Sequence, residues 1–407
     1  MKKIFTLAAA GALATASLCA KAQAPFTVDG QLTADEVTAG KYVLLGKYTN
    51  IRGFGNAGLL SLYAASTTTK LYIFVGGTVE ANGNAFQLFL DLPAVAGVPI
   101  GTALPGGAGT SFTNMKSKLD LAADLGLALR SDGSATPANS NYLIEGIAYT
   151  SATAATAAKL TTATGPLLGD GTALTLSTTT ATGDFARLAG ARIAYKVAAM
   201  AGISGNPGNT ATTSTGTPPV TTYPASYGGV GSYGWEIEID RATAGLTGTP
   251  SASLFVVQNG GDGGYISTDF IPQTSAPIAP VTNNPGNPGT GAYDFTTVPD
   301  RQAANIILSS TGVLGARAAD ADALALQIYP NPTTSVATIE YSVGGRAENV
   351  SIMLTDLLGR NIQSLASGLK PAGKQSALVS TANVAAGTYL VRVQVGDKVS
   401  TRKVVLL

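Results

Sequence analysis

The sequence predicts an all-β protein built as a large N-terminal β-sandwich followed by a small C-terminal Ig-like β-sandwich. Three observations carry that prediction. Short runs of β-type residues recur along the whole 407-residue chain, each closed by clusters of Gly, Pro, Asn and Thr. Helical periodicity surfaces in a single segment, Asn114 to Arg130, where Met115, Leu119, Ala122, Ala123 and Leu125 recur at helical spacing and predict an accessory helix. No period of 20–50 residues repeats, which excludes solenoids and propellers.

The chain begins with Lys2 and Lys3, continues through an Ala/Leu-rich apolar run from Ile4 to Leu18, and then offers small residues. That is the pattern of a secretory signal peptide, 1–22. Cleavage is expected after Ala22, with a second Ala-x-Ala frame ending at Ala24. Ala16-Ser17-Leu18 before Cys19 departs from the pattern lipoprotein signals resemble. Removal of the signal takes away Cys19, the sole cysteine, and the chain has no histidine. Disulfides, thiolate nucleophiles, His-based triads and His/Cys metal or haem sites are thereby excluded, and no cofactor or metal is expected.

The formal charge of +1 turns to −2 when Lys2, Lys3 and Lys21 leave with the signal, so there is no electrostatic footprint for nucleic acid. Charged residues make up 12% of the chain, against about 25% in ordinary soluble domains. After the signal no stretch approaches the roughly 20 uninterrupted apolar residues of a membrane-spanning helix.

Residues 23–312 form the expected cargo sandwich. Leu71 to Val79 and Ala85 to Asp91, joined by a loop containing Asn82-Gly83, predict an antiparallel hairpin. In its second arm Phe86, Leu88 and Leu90 share a buried face, with Gln87, Phe89 and Asp91 on a half-exposed one. Further strands are predicted at Tyr142 to Tyr149, Arg192 to Ala198, Gly234 to Asp240, Ser253 to Gln258 and Asn305 to Ser309. Thr/Ala/Gly-rich tracts such as Ser151 to Ala158, Leu174 to Thr182 and Gly205 to Pro219, and the Asn/Pro/Gly segment Pro277 to Thr290, predict long loops. Residues 313–325 predict a linker.

In the last region, 326–407, strands are predicted at Val336 to Val343, Asn349 to Asp356, Asn361 to Leu365, Gln375 to Val379, Gly387 to Val395 and Val399 to Leu406. Tyr329-Pro330-Asn331-Pro332 is too rigid for a central strand, since proline fixes φ and lacks a donor, so it marks the way in from the linker. With Asp356, Gly359 and Arg360, then Gly387 and Tyr389, and finally Lys403-Val404-Val405, this set resembles the type A C-terminal sorting domain of type IX secretion. The resemblance implies recognition by the type IX secretion machinery, removal of the domain, and either attachment of the remainder to surface lipopolysaccharide or release. The expected location is therefore extracellular or on the outer cell surface.

The cargo carries its own resemblance. Phe26 to Leu32 with Asp35-Glu36-Val37, the segments Leu71 to Val75 and Phe86 to Asp91, and Gly234 to Ile239 look like parts of DOMON-like and family-nine-like carbohydrate-binding sandwiches. This implies a polysaccharide partner. Haem, bound by some DOMON members, has no histidine ligand here, and Met115, Met200 and Met353 are a poor substitute.

Candidate sites follow from residue chemistry. Tyr223 and Tyr227, in a Gly-rich loop, are the expected ligand-stacking residues, while Trp235 shares a strand face with Ile237 and Ile239 and is assigned to the core. Glu236, Glu238 and Asp240 alternate on the other face, where a solvated strand surface is expected; paired carboxylate chemistry is the rival reading. Asn259 to Gly264 is read as a tight turn in preference to a Ca²⁺ loop, because regular acidic spacing is missing. Gly46-Lys47 does not meet phosphate-loop spacing, and Ser367 to Lys370 lacks the companions of a Ser-x-x-Lys enzyme. The expected protein is a non-enzymatic binding or adhesive surface protein; the alternatives are a carboxylate-dependent glycoside hydrolase and a structural coat component.

Overall fold

The computed structural model describes residues 26–407 apart from 39–41, 49–56, 81–82, 94, 133–140, 162–164, 198–201, 210–225, 249, 274–292, 299–301, 309–312, 317–323, 325, 344–346, 357–360, 381, 383 and 396–397. The expected signal peptide lies outside the described residues, as do Tyr223, Gly359 and Arg360.

The larger unit is a sandwich of two antiparallel sheets. One orders six strands as Val43–Lys47, Gly58–Ser66, Lys70–Thr78, Gly234–Asp240, Arg192–Tyr195 and Leu174–Thr175. The other runs Val313–Ala316, Ala304–Leu308, Ser251–Asn259, Ala85–Asp91, Leu125–Ser131, Asn141–Ser151 and Ala154–Lys159, with Ile266–Ile271 and Leu167–Leu168 pairing off this path. Leu62, Ile73, Val75, Trp235 and Ile237 of the first sheet meet Phe86, Leu88, Leu127, Leu129 and Leu254 of the second in the main core. The first four residues of the predicted linker are thus a strand of the cargo sandwich, since Val313–Ala316 pairs with Ala304–Leu308.

Several expectations are corrected. Ser151 to Ala158 and Leu174 to Thr182, expected as loops, contribute the strands Ala154–Lys159 and Leu174–Thr175, which pair at the edges of the two sheets. Lys70–Thr78 and Ala85–Asp91 are both strands, but they do not pair with each other. The first lies between Gly58–Ser66 and Gly234–Asp240, the second between Ser251–Asn259 and Leu125–Ser131. Their connection carries the chain from one layer to the other, because both arms are apolar on both faces and each needs neighbours within its own sheet. The predicted helix over Asn114 to Arg130 is absent. Met115, Ser117, Leu119, Leu121 and Ala123 are buried while the residues between them are more exposed, a period of two. Met115, Leu119 and Ala123 fit both periods, and isolated bridges from Ala123 to Val98 and from Lys118 to Ala103 hold the segment extended across the sheet.

Both outer faces of the sandwich are covered. Phe89, Phe255 and Phe270 of the second sheet pack against Phe112, Met115 and Phe295 from the crossing segments. Gln87, expected to be half exposed beside Phe89, is fully buried and donates its amide to the Ser111 carbonyl. On the first sheet, Tyr63, Tyr72 and Phe74 are roofed by Phe26, Val28, Leu32 and Tyr42 of the N-terminal segment. The ring of Phe26 stacks on Tyr72 at 4.1 Å between centroids.

The smaller unit packs a three-stranded sheet, ordered Gln327–Tyr329, Val336–Val343 and Gly373–Ser380, against a four-stranded one, ordered Asn361–Lys370, Glu348–Thr355, Gly387–Val395 and Lys398–Leu406. Ile339, Tyr341 and Val379 face Ile352, Leu354, Val391 and Val404 across its core. Every strand predicted in this region forms, and Tyr329 ends an edge strand as the flanking prolines require.

Candidate functional site

In the larger unit the acidic strand Gly234–Asp240 has a different fate from the one expected of it. Glu236 and Glu238 are 0% and 6% exposed, so the predicted solvated face is corrected to a buried one. Sequence periodicity cannot reveal this, because the cover comes from residues about 200 positions away. The Tyr42 hydroxyl donates to Glu236 Oε1 (2.7 Å), and the backbone N–H groups of Asp29 and Gly30 donate to Oε2 (2.9 and 3.0 Å). Burial pushes the Glu236 carboxyl up to about 8, against the pull of those hydrogen bonds. Glu36 organises the same segment, accepting from the Thr27 and Thr33 N–H groups and the Thr33 hydroxyl. Glu238 lies between Lys70 (3.5 Å) and Arg192 (3.4 Å), and Asp240 lies 3.6 Å from Lys70.

The aromatic candidates separate. Trp235 is fully buried, as assigned. Tyr227, expected in an exposed loop, is fully buried against Leu60 and Ile203, which removes it as a stacking platform. Its burial rests on contacts distant in sequence, which local Gly-rich composition does not signal. Asn259 ends a strand, and Asp262 is engaged by Gly264 N–H and the Asn114 amide, both at 2.8 Å. Gly46 and Lys47 end the strand Val43–Lys47, and Ser367 to Lys370 lie within another, so neither forms a loop for phosphate or catalysis. Among the described residues no group of three or more metal-ligating side chains comes together, and no helix is long and apolar enough to cross a membrane.

Sequence reasoning missed one feature. A cleft of about 750 Å³ opens at one end of the large sandwich. Asp124 holds its wall, accepting from Leu92 N–H (2.7 Å) and Gly97 N–H (2.9 Å). Burial raises Asp124 to about 6. Its lining comes from five separate stretches, so no local motif announces it.

In the smaller unit, motif elements far apart in sequence are drawn together at one end. The Asn331 amide donates to the Lys403 carbonyl (2.8 Å), and its Oδ1 accepts from Val405 N–H (2.9 Å). Thr333 continues the lock, exchanging backbone hydrogen bonds with Val405 and Leu407 at 3.0 and 2.9 Å. Tyr389 pairs with Val404, Gly387 with Leu406, and Leu390 lies between Lys403 and Thr355, the residue before Asp356. The Tyr389 hydroxyl donates to the Ala385 carbonyl (2.8 Å), and Tyr329 donates to Glu340 Oε1 (2.5 Å).

Residues 327–407 match the family described as the Secretion system C-terminal sorting domain. The C-terminal unit is a type IX sorting domain. It marks the chain for export by the type IX machinery to the outer surface or the medium. Within the Tyr-Pro-Asn-Pro segment of the sorting domain, Asn331 ties the chain to the final strand through its side chain. No curated protein matches the chain. Among solved structures, dimeric latent PorU from Porphyromonas gingivalis overlaps it at 11% identity and a TM-score of 0.18, covering 90% of this chain and 34% of that one. The chain spans about a third of that protein's length, and so loose an overlap carries no argument.

Proposed function

We propose that the sorting domain delivers a surface or secreted binding protein whose N-terminal sandwich engages a partner, a polysaccharide or surface lipopolysaccharide foremost, without catalysing a reaction. The observation that supports this reading is the use made of the acidic strand. Glu236 is closed off by three donors and Glu238 is held between two cations, so the carboxylates of the hydrolase alternative serve as anchors for neighbouring chain. General acid–base work needs a carboxyl within reach of substrate. Glu236 instead lies beneath the N-terminal segment, and Glu238 is buried between Lys70 and Arg192.

The test is binding of the purified chain to polysaccharides and lipopolysaccharide, with and without Ca²⁺, together with an assay for released reducing ends. Saturable binding without release is expected. Release of reducing ends would overturn the non-catalytic reading, and self-assembly without any binding would replace it with a coat component.

A further inference from the structure

We infer that the cleft at the end of the large sandwich holds a neutral, hydroxyl-rich ligand, a saccharide, with Arg187 donating to it and Asp184 accepting from it. The inference rests on the binding reading above and gives it a place. The cleft lies between the chain following Ala85–Asp91, the 3-10 turn Gly183–Leu188 and the turn after Gly234–Asp240. Its volume of about 750 Å³ falls within the roughly 300–1,000 Å³ common for small-ligand sites.

Its polar groups are held in place. Asp124 fastens one wall through two backbone N–H groups. Arg187 donates one N–H to the Ala244 carbonyl (2.8 Å), and among the described residues its other guanidinium donors meet no hydrogen-bond partner. Gly245 has a φ of +77°, and a Cβ there would come 2.7 Å from Arg187 Nη1, so the glycine lets the turn close against the guanidinium. A donor fixed in this way loses little freedom on binding. Asp184 is exposed and accepts from the Thr156 hydroxyl through Oδ2, which leaves Oδ1 for a ligand.

Charge selects the ligand class. Asp124 offsets Arg187, and Asp184 adds a further negative charge, so an anionic ligand gains nothing from the site as a whole. A polyol gains from both kinds of group, since each hydroxyl donates to a carboxylate or accepts from a guanidinium. Leu92, Leu125 and Ala148 supply apolar lining for its C–H faces.

The experiment titrates neutral and uronic oligosaccharides against the full chain, its Asp184→Ala variant, and Thr243→Trp, which fills the cleft from an exposed position. Folding of each is checked by thermal melting. Neutral sugars should bind the parent chain, and each variant should weaken binding at least tenfold. Equal binding by parent and variants would overturn the cleft while leaving a binding module. If uronic sugars bind better than neutral ones, the charge argument falls. If no sugar binds but the chain still adheres to lipopolysaccharide or protein-coated surfaces, the saccharide assignment falls and the broader binding reading survives.

Discussion

Replacing Glu236 with Gln tests whether the N-terminal segment is fastened by a carboxyl that is largely protonated at neutral pH. The group rises from an ordinary value of 4.5 to about 8 in the folded chain. A raised carboxyl contributes stability that is fully present below 4.5 and lost as the pH climbs through 8. At about 1.4 kcal/mol per unit, the loss amounts to roughly 5 kcal/mol between acid and alkaline limits. The protonated carboxyl and the Gln amide satisfy the same neighbours: one oxygen accepts from the Asp29 and Gly30 N–H groups, and the Tyr42 hydroxyl, which donates to Oε1 of the carboxylate, turns to accept from the O–H or the amide N–H at that end. Glu236→Gln should therefore match the parent near pH 4 and exceed it by several kcal/mol at pH 9. Asp124 also titrates within this range, but its contribution is common to both proteins and cancels in the difference. Trp235, the single tryptophan and the residue preceding Glu236, reports urea unfolding by fluorescence. Parallel pH profiles for the two proteins between pH 5 and 9 would refute the argument.

Three further outcomes are expected. Tyr227→Ala should lower stability by about 3 kcal/mol, the cost of emptying a buried aromatic site, and should leave the affinity of the folded fraction for any polysaccharide unchanged; urea titration and binding measured side by side separate the two effects. Arg130→Met should cost about 3–5 kcal/mol, because it strands the fully buried Glu145, whose Oε1 accepts from Arg130 Nε and Nη2 at 3.1 and 2.9 Å; an unchanged unfolding midpoint would contradict this. Asn331→Ala should loosen the tie between the Tyr-Pro-Asn-Pro segment and the last strand of the sorting domain at a cost of about 1–2 kcal/mol for two exposed hydrogen bonds, and should reduce the fraction exported, read as the ratio of protein outside the cell to protein retained.

Legibility differed between the two units for a physical reason. In the sorting domain the strands alternate between buried and half-exposed residues, as in Val336–Val343, so a period of two is visible in the sequence. In the cargo the strands are buried on both faces: Gly58–Ser66 and Lys70–Thr78 are apolar nearly throughout, and alternation vanishes. Lys70–Thr78 could still be read from turn residues and β-type composition, whereas Gly58–Ser66 went unread. The partners of the legible strands could not be read, which is why Lys70–Thr78 and Ala85–Asp91 suggested a hairpin where the chain changes layers.

The sequence by itself determined an all-β chain without histidine chemistry and an export address, because these follow from composition, local propensity and motifs tens of residues apart. The tertiary structure alone decided that Glu236 lies beneath the N-terminal segment, that Tyr227 belongs to a core, and that Asp124, Asp184 and Arg187 share one cleft. Each of those facts depends on which distant backbone covers a side chain, and burial by a remote segment leaves no periodic trace in the residues it covers.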